Sequence, residues 1–514
     1  MSGGGLRTLD LSGKSWEQLP EWAGEGALSD ILAAVLPSRR WFGSKSRSLR
    51  SIRFEAIVPL DGGIGGTIFL CLLWVSFAEG PGERYFLPLG RGRSGEVLAA
   101  GEIARLDPPS GGCALLVDGF YLPATGRGLL REILFPDPAR TGLEALRTAA
   151  LGRRGATVDP DLVPSVFRGE QSNTSLLFGN SLMLKGFRKL VPGMNPDLEV
   201  GEFLARRGEW VPIPTSFGAL LGKSPEGDPL VLALLQEFVP NVGDAWSWFL
   251  SRLPRVLSGE DGGESLDRLV ERLGTGTGRL HRALGSDPSD PDFAPRPFGE
   301  QDLEALVREI RERFVQAGEA LESALPGLPD PVLSRARTFL SLGPEKERFL
   351  EACRGGGAGG LCIRCHGDFH LGQVLVTPEE EVVFLDFEGE PALPLAQRRL
   401  RKTPLQDVAG MLRSLHYLSL SVLPESTEVR EATDRWYEIQ SRRYLRAYAS
   451  VLSGSPGLLP PPGASGRILA LCLLRKALYE LQYELDNRPG WLGVPLAGIE
   501  ALFQSPPFDF GEVP

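Results

Sequence analysis

Several things are scarce in this chain, and each scarcity removes a class of function. The longest apolar run, Ile68 to Phe77, is half the length of a membrane span and reads as a buried strand, so no membrane partner is expected. The N-terminus, MSGGGLRTLDLSGKSWEQL, lacks the basic stretch and apolar core of a secretory leader, which predicts a cytoplasmic protein. There is no long Lys/Arg tract and the formal net charge is −10. That balance repels a phosphate backbone and argues against a nucleic-acid partner. Six cysteines in 514 residues, three of them crowded at Cys353, Cys362 and Cys365, make no disulfide framework and suit a reducing compartment. No tandem repeat is seen. What remains is a globular chain, 42% apolar, long enough for two or three domains and suited to a small-molecule substrate.

The order of patterns predicts an α+β protein. Residues 51–89 alternate the strand-like runs SIRFEAIVPL, GTIFLCLLWVSF and RYFLPL with Gly- and Pro-containing turns, which predicts an antiparallel, β-rich module over 1–160. Residues 161–240 run strand, turn, strand, helix, strand. From 241 to 514 the chain turns helical, beginning with LDRLVERLGTGTGRLHRAL, and is interrupted by a Pro/Asp-rich loop at 286–297, a Gly-rich joint at 355–360 and a hairpin from VLVT to VVFLDFEG.

Two strings carry chemistry. CHGDFHLGQVLV places Asp368 on a loop after a strand with Gln373 five residues on, and VVFLDFEG puts Asp386 at the end of the next strand. In that order they have the form of the catalytic loop and metal-binding aspartate of a phosphoryl-transfer site. Asp368 would be the base, and Gln373 and Asp386 would be hard oxygen ligands for Mg2+. Glu388, two residues past Asp386, would point the same way along a strand-like exit and help hold the metal, with sugar or water as its alternative partners. Upstream, Lys185 lies in the apolar strand SLMLKGF, where a bare ammonium is costly; Glu199, in the helix NPDLEVGEF, is its candidate partner. The turn GEQSNTS before that strand would cover the nucleotide phosphates, with Ser172, Asn173, Thr174 and Ser175 as donors. In the last long helix Glu480, Glu484 and Asn487 share a face, with Tyr479 and Tyr483 alongside and Arg488 and Trp491 just beyond. Carboxylates, a ring and polar rim groups suit a sugar; core tyrosines with a solvated acidic face are the alternative. Asp407, at the start of a helix, is read as a cap or a brace for the catalytic loop.

These strings, with LPSRRWFGSKSR, LKGFRKLVPGMNPDLEVGEFL, LLQEFVPNVGDAW, RLHRAL, FLDFEGEP, DVAGMLRSL and YELQYELDNRPGWLGVPLAGI, resemble the maltokinase family from about residue 30 onward. The resemblance implies a bilobal protein-kinase-like fold with a β-rich N-terminal cap subdomain and a mostly helical C-lobe. It also implies ATP in the interlobe cleft, an adenine hinge at Gln236, Glu237, Phe238 and Val239, a structural His366, and phosphorylation of maltose on its anomeric hydroxyl. No trehalose synthase domain is recognisable in the chain, so association with a separate trehalose synthase is the partner expectation that follows. Glucosamine kinase, or another sugar kinase of this architecture, is the first alternative; a non-catalytic scaffold is the second, and the presence of Asp368, Asp386 and Lys185 weighs against it.

Three lesser patterns are set aside. CIRCH at 362–366 has the spacing of a haem attachment, but His366 belongs to the HGD loop. Cys353, Cys362, Cys365 and His366 offer a single close pair, which is poor for zinc. Gly90, Gly92 and Gly95 spell a GxGxxG, but no βαβ unit follows it and a mobile turn is expected there.

Overall fold

The computed structural model describes residues 6–504 apart from 63–65, 94, 96–97, 111, 155–157, 168, 170–171, 423–426 and 456. The chain forms two compact units, one of residues 1–206 with 214–239 and one of 207–213 with 240–514.

The first unit holds two sheets. One contains β1 (Thr8–Asp10), β2 (Leu49–Leu60), β3 (Ile68–Phe77), β4 (Glu83–Gly92), β5 (Glu102–Ser110) and β6 (Cys113–Asp118), in the order β1-β5-β6-β4-β3-β2. The other contains β7 (Glu144–Arg147), β8 (Pro164–Val166), β9 (Thr174–Phe178), β10 (Leu182–Gly186), β12 (Ser216–Lys223) and β13 (Pro229–Glu237), in the order β7-β12-β13-β10-β9-β8. The predicted buried strand is β3, and its period-two pattern explains why both faces are apolar. Phe69, Cys71, Leu73 and Val75 join a core with Trp16, Leu19, Trp41 and the helix α1 (Ala27–Val35). Ile68, Leu70 and Leu72 join a second core with Phe120, helix α2 (Pro123–Leu134) and the apolar faces of β9, β10 and β13. Gly90 and Gly92 lie inside β4, which corrects the expected turn at those two positions. A side chain at Gly90 would collide with Leu122, so glycine there serves packing.

A two-residue strand, β11 (Lys189–Leu190), pairs with β4 just after β10 ends. Arg188, between them, is wholly buried: Nη2 donates to Asp118 Oδ2 at 2.6 Å and Nε to Thr174 Oγ1 at 2.8 Å, while Trp41 and Phe120 cover the guanidinium. This one side chain ties both sheets of the unit to each other. Helix α3 (Pro196–Arg207) follows.

The second unit is helical, with α4 (Glu264–Leu284), α5 (Glu300–Ala324), α6 (Leu405–Ser421), α7 (Thr427–Leu452), α8 (Ala464–Asn487) and α9 (Gly493–Gln504) as its longer labelled helices. A hairpin, β14 (Val374–Val376) and β15 (Val382–Phe384), pairs Val374 with Phe384 and Val376 with Val382, as its alternating valines predict. The three glycines of GTGTG fall in the middle of α4, where glycine costs helix stability. Their reason is close packing: a Cβ at Gly274 would lie 2.4 Å from the Tyr444 carbonyl oxygen and one at Gly278 2.8 Å from Val451 Cβ, both on α7, while one at Gly276 would meet the Phe384 ring at 2.9 Å. The Gly-rich stretch at 355–360 is packed as well, with Gly356 O accepting from Arg467 Nη2 at 3.3 Å. Among the described residues no helix is long and apolar enough to cross a membrane.

Candidate active site

In the second unit the loop from His366 to Gln373 is held by its backbone. Asp407, in the first turn of α6, accepts from His366 N (2.7 Å) through Oδ2 and from Gly367 N (3.0 Å) through Oδ1. His281 Nε2 reaches Oδ2 at 3.1 Å and its Nδ1 meets the Tyr448 hydroxyl at 2.9 Å. Asp407 is fully buried. Burial alone would raise its pKa, but the His281 hydrogen bond, the two imidazoles and the loop amide hold it below the ordinary carboxylate value. Asp407 is therefore the brace that its place at the helix start suggested. The His366 ring lies against Phe369 and Phe387, and its Nε2 bonds Leu385 O at 2.8 Å. His366 thus links the loop to the strand exit, and its Nδ1 accepts from Asp368 N at 3.4 Å. Gly410 leaves room for the Phe369 carbonyl, which a Cβ would meet at 2.4 Å.

So fixed, the loop presents Asp368 half-buried. Its Oδ1 accepts from Lys476 Nζ at 3.2 Å, and His370 Nε2 lies 4.0 Å from its Oδ2. Burial keeps the His370 pKa below the ordinary histidine value, with the Asp368 charge opposing. Gln373 and Asp386 come together: Gln373 Nε2 donates to Asp386 Oδ2 at 3.1 Å, and Leu385 N donates to Gln373 O at 2.9 Å. Asp386 has φ of 65°, a left-handed backbone that is uncommon away from glycine and marks sites where geometry is held against strain. Turned over, the Gln373 amide presents its oxygen beside the same carboxylate, so these two side chains fit a hard divalent cation. Glu388 is half-buried on the following turn, where Arg398 Nη1 donates to its carbonyl at 3.2 Å.

In the first unit Lys185 sits in β10 between Ser175 of β9 and Leu234 of β13. Its Nζ donates to Asp197 Oδ2 at 3.1 Å, a pair with both side chains 9% exposed. Asp197 was not among the residues anticipated. It and Glu199 both lie in the acidic first turn of α3, buried, two residues apart. Of the expected phosphate-covering donors, Ser172 is exposed and Asn173 half-buried, whereas Thr174 and Ser175 belong to β9. Thr174 is bound to Arg188 and the Ser175 side chain is fully buried, so for these two the structure corrects the expectation of free hydroxyl donors. Glu170 and Gln171 of that turn lie outside the described residues. Gln236, Glu237, Phe238 and Val239 run half-buried off the end of β13, with Glu237 Oε2 accepting from Thr215 Oγ1 at 2.8 Å and Phe238 N donating to Ser181 O at 3.0 Å.

The expected sugar face of α8 is corrected more substantially. Glu480 is clamped by Arg413 at 2.7 Å. Glu484 is 1% exposed at its side chain, holding Arg488 at 2.6 Å, with the Tyr417 hydroxyl at 3.4 Å; burial raises its pKa, with Arg488 opposing. Asn487 Nδ2 donates to Tyr483 O at 2.9 Å within its own helix, and Trp491 lies parallel to Tyr417 at 6.4 Å. Glu480 and Glu484 therefore join helices, because their side of α8 faces α6. Tyr479, whose pKa burial raises to about 12, and the more exposed Tyr483 lie beside one another on the face that also carries Lys476. In the sequence Lys476 is a cation in the apolar stretch LALCLLRKAL, three residues before Tyr479, but nothing local in the chain marks Asp368 as its partner.

Among the described residues no cysteine lies in a group of potential ligand side chains close enough to share a metal ion. Burial pushes the pKa of Cys353 and Cys362 up to about 11.

With this geometry in view, the comparisons define the class. Residues 165–451 match the model of the phosphotransferase enzyme family, and the chain belongs to that family. Residues 36–121 further match the maltokinase N-terminal cap domain. A glucosamine kinase of Streptacidiphilus jiangxiensis is 28% identical over 362 residues, covering 68% of this chain and 78% of that protein. A glucosamine kinase of Mycolicibacterium smegmatis (strain ATCC 700084 / mc(2)155) is 26% identical over 358 residues, covering 69% and 80%. A solved glucosamine kinase in complex with glucosamine, ADP and inorganic phosphate superposes with a TM-score of 0.63 at 22% identity, covering 92% of this chain and 98% of that one. The fold is that of a bilobal kinase with a β-rich N-terminal cap and a helical C-lobe, and the chain is a sugar-kinase-like phosphotransferase.

Proposed function

We propose that this chain transfers the γ-phosphoryl group of ATP to the anomeric hydroxyl of maltose, giving maltose 1-phosphate and ADP. The observation that carries the reading is the second unit's assembly of a backbone-held Asp368 with Gln373 and Asp386 in hydrogen-bond contact. A phosphotransferase needs a carboxylate to orient and deprotonate the acceptor and oxygen ligands for the cation that accompanies the nucleotide. The acceptor oxygen bonds to the γ-phosphorus as the bond from that phosphorus to the β–γ bridging oxygen breaks. Its proton passes to Asp368, and ADP leaves. Gln373 and Asp386 would hold Mg2+, whose charge offsets that of the phosphates. Lys185, oriented by the acidic first turn of α3, would bind nucleotide phosphate, and Gln236 to Val239 the adenine.

For the acceptor, the match to the maltokinase cap domain favours a neutral disaccharide. Glucosamine is the second reading, favoured by the names of the two relatives. ADP release with ATP and Mg2+, measured for maltose, glucose, glucosamine and trehalose, separates them: maltose should turn over best. In Asp368→Asn, kcat should fall by about 10²- to 10⁴-fold with nucleotide affinity little changed, since a base acts in the transition state. Near-normal turnover in that variant would refute the role of Asp368, and turnover of glucosamine alone would move the acceptor to the second reading.

A further inference from the structure

Lys476 has no part in the reaction as written above, yet it lies against the proposed base. An ammonium in an apolar helix needs a partner, and the one it has is Asp368 Oδ1 at 3.2 Å. The two side chains keep 19% and 21% of their surface exposed, so the pair faces solvent. Lys476 Nζ also lies 4.8 Å from the ring centre of Tyr479. The carboxylates around it are each committed to a guanidinium: Glu480 to Arg413, Glu484 to Arg488, and Glu309 to Arg475 and Arg313, with Glu390 3.8 Å from Arg475. His370, on the other side of Asp368, has its pKa lowered by burial, with the Asp368 charge opposing. An acceptor reaching Asp368 therefore meets an ammonium whose countercharge is the base itself. Once the base takes the acceptor's proton, that countercharge is gone and Lys476 stands as a cation beside the group in transit.

From this arrangement we infer that Lys476 is a specificity-determining residue, admitting neutral sugars at Asp368 and disfavouring sugars that carry an ammonium group. The inference deepens the proposed function and rests on Asp368 being the base. Like charges a few ångströms apart in a partly exposed site change affinity by about tenfold. The test compares kcat/KM for maltose and for glucosamine, at a pH where the amine is protonated, in the wild type, Lys476→Met and Lys476→Arg. The glucosamine-to-maltose ratio should rise about tenfold in Lys476→Met and stay at the wild-type value in Lys476→Arg. A lysine with only a structural role would lower both substrates alike and leave the ratio unmoved. Maltose turnover with an unmoved ratio in Lys476→Met, or with glucosamine turnover still undetectable, overturns this inference alone. A wild type that phosphorylates glucosamine and no neutral sugar overturns both the inference and the proposed acceptor.

Discussion

Asp407 shows how much of the site depends on a residue that never meets substrate. Its carboxylate is buried with His281 and two loop amides, and its folded pKa lies below the ordinary value. A group so shifted adds stability that is complete above its unfolded pKa of about 3.9 and is lost as the pH falls through the lower folded value. Asp407→Asn should therefore be less stable than the wild type at neutral pH, with the gap in Tm narrowing as the pH is taken from 6 towards 3. A gap independent of pH would mean that the charge contributes nothing. Asp407→Ala, which leaves buried partners unpaired, should cost about 3–5 kcal/mol in chemical denaturation. At this scale Asp368, Gln373, Asp386 and Lys185 stood out in the sequence because local strand and turn signals frame them. Asp197 and Lys476 did not, because what each meets depends on how a helix is rotated against a distant segment. The same rotation sets Glu480 against Arg413 of α6, while Glu484 holds Arg488, its own neighbour four residues on.

Elements were legible where one pattern repeats. β3 follows from an unbroken apolar run, and α4 from its heptad-like leucines. β1 and β11 are three and two residues long; no periodicity can announce strands so short, and their pairing is set by β5 and β4. The glycines of α4 are poor helix formers by propensity, and close packing explains them, Gly274 and Gly278 against α7 and Gly276 against Phe384. Gly274→Ala tests this. Helix propensity alone predicts a gain of about 1 kcal/mol, whereas the 2.4 Å approach of the Tyr444 carbonyl predicts a net loss of about 1–3 kcal/mol from overpacking. Gly152→Ala, at an exposed position of the short helix Ala149–Arg154 with open space around it, is the control and should be neutral or slightly stabilising. A stabilised Gly274→Ala protein would contradict the packing argument.

Over the whole molecule, the change from strand-rich to helical composition gave the α+β class and the helical C-lobe from sequence alone. The interleaving of the two units could not be read that way. Residues 207–213 belong to the helical unit although the chain on both sides of them belongs to the other. They are held there by long-range contacts such as Phe384 N to Pro212 O at 2.7 Å and the pair of Arg282 with Glu209. The family match ends at residue 451, so α8, with Lys476 and the tyrosines, lies beyond the matched phosphotransferase region. Phosphorus NMR of the product formed from maltose, ATP and Mg2+ decides whether the phosphoryl group goes to the anomeric hydroxyl. The expected product is a single phosphate monoester whose phosphorus couples to the anomeric proton of the reducing glucose. A phosphate on any other carbon, or no phosphorylated maltose while glucosamine is consumed, would contradict it.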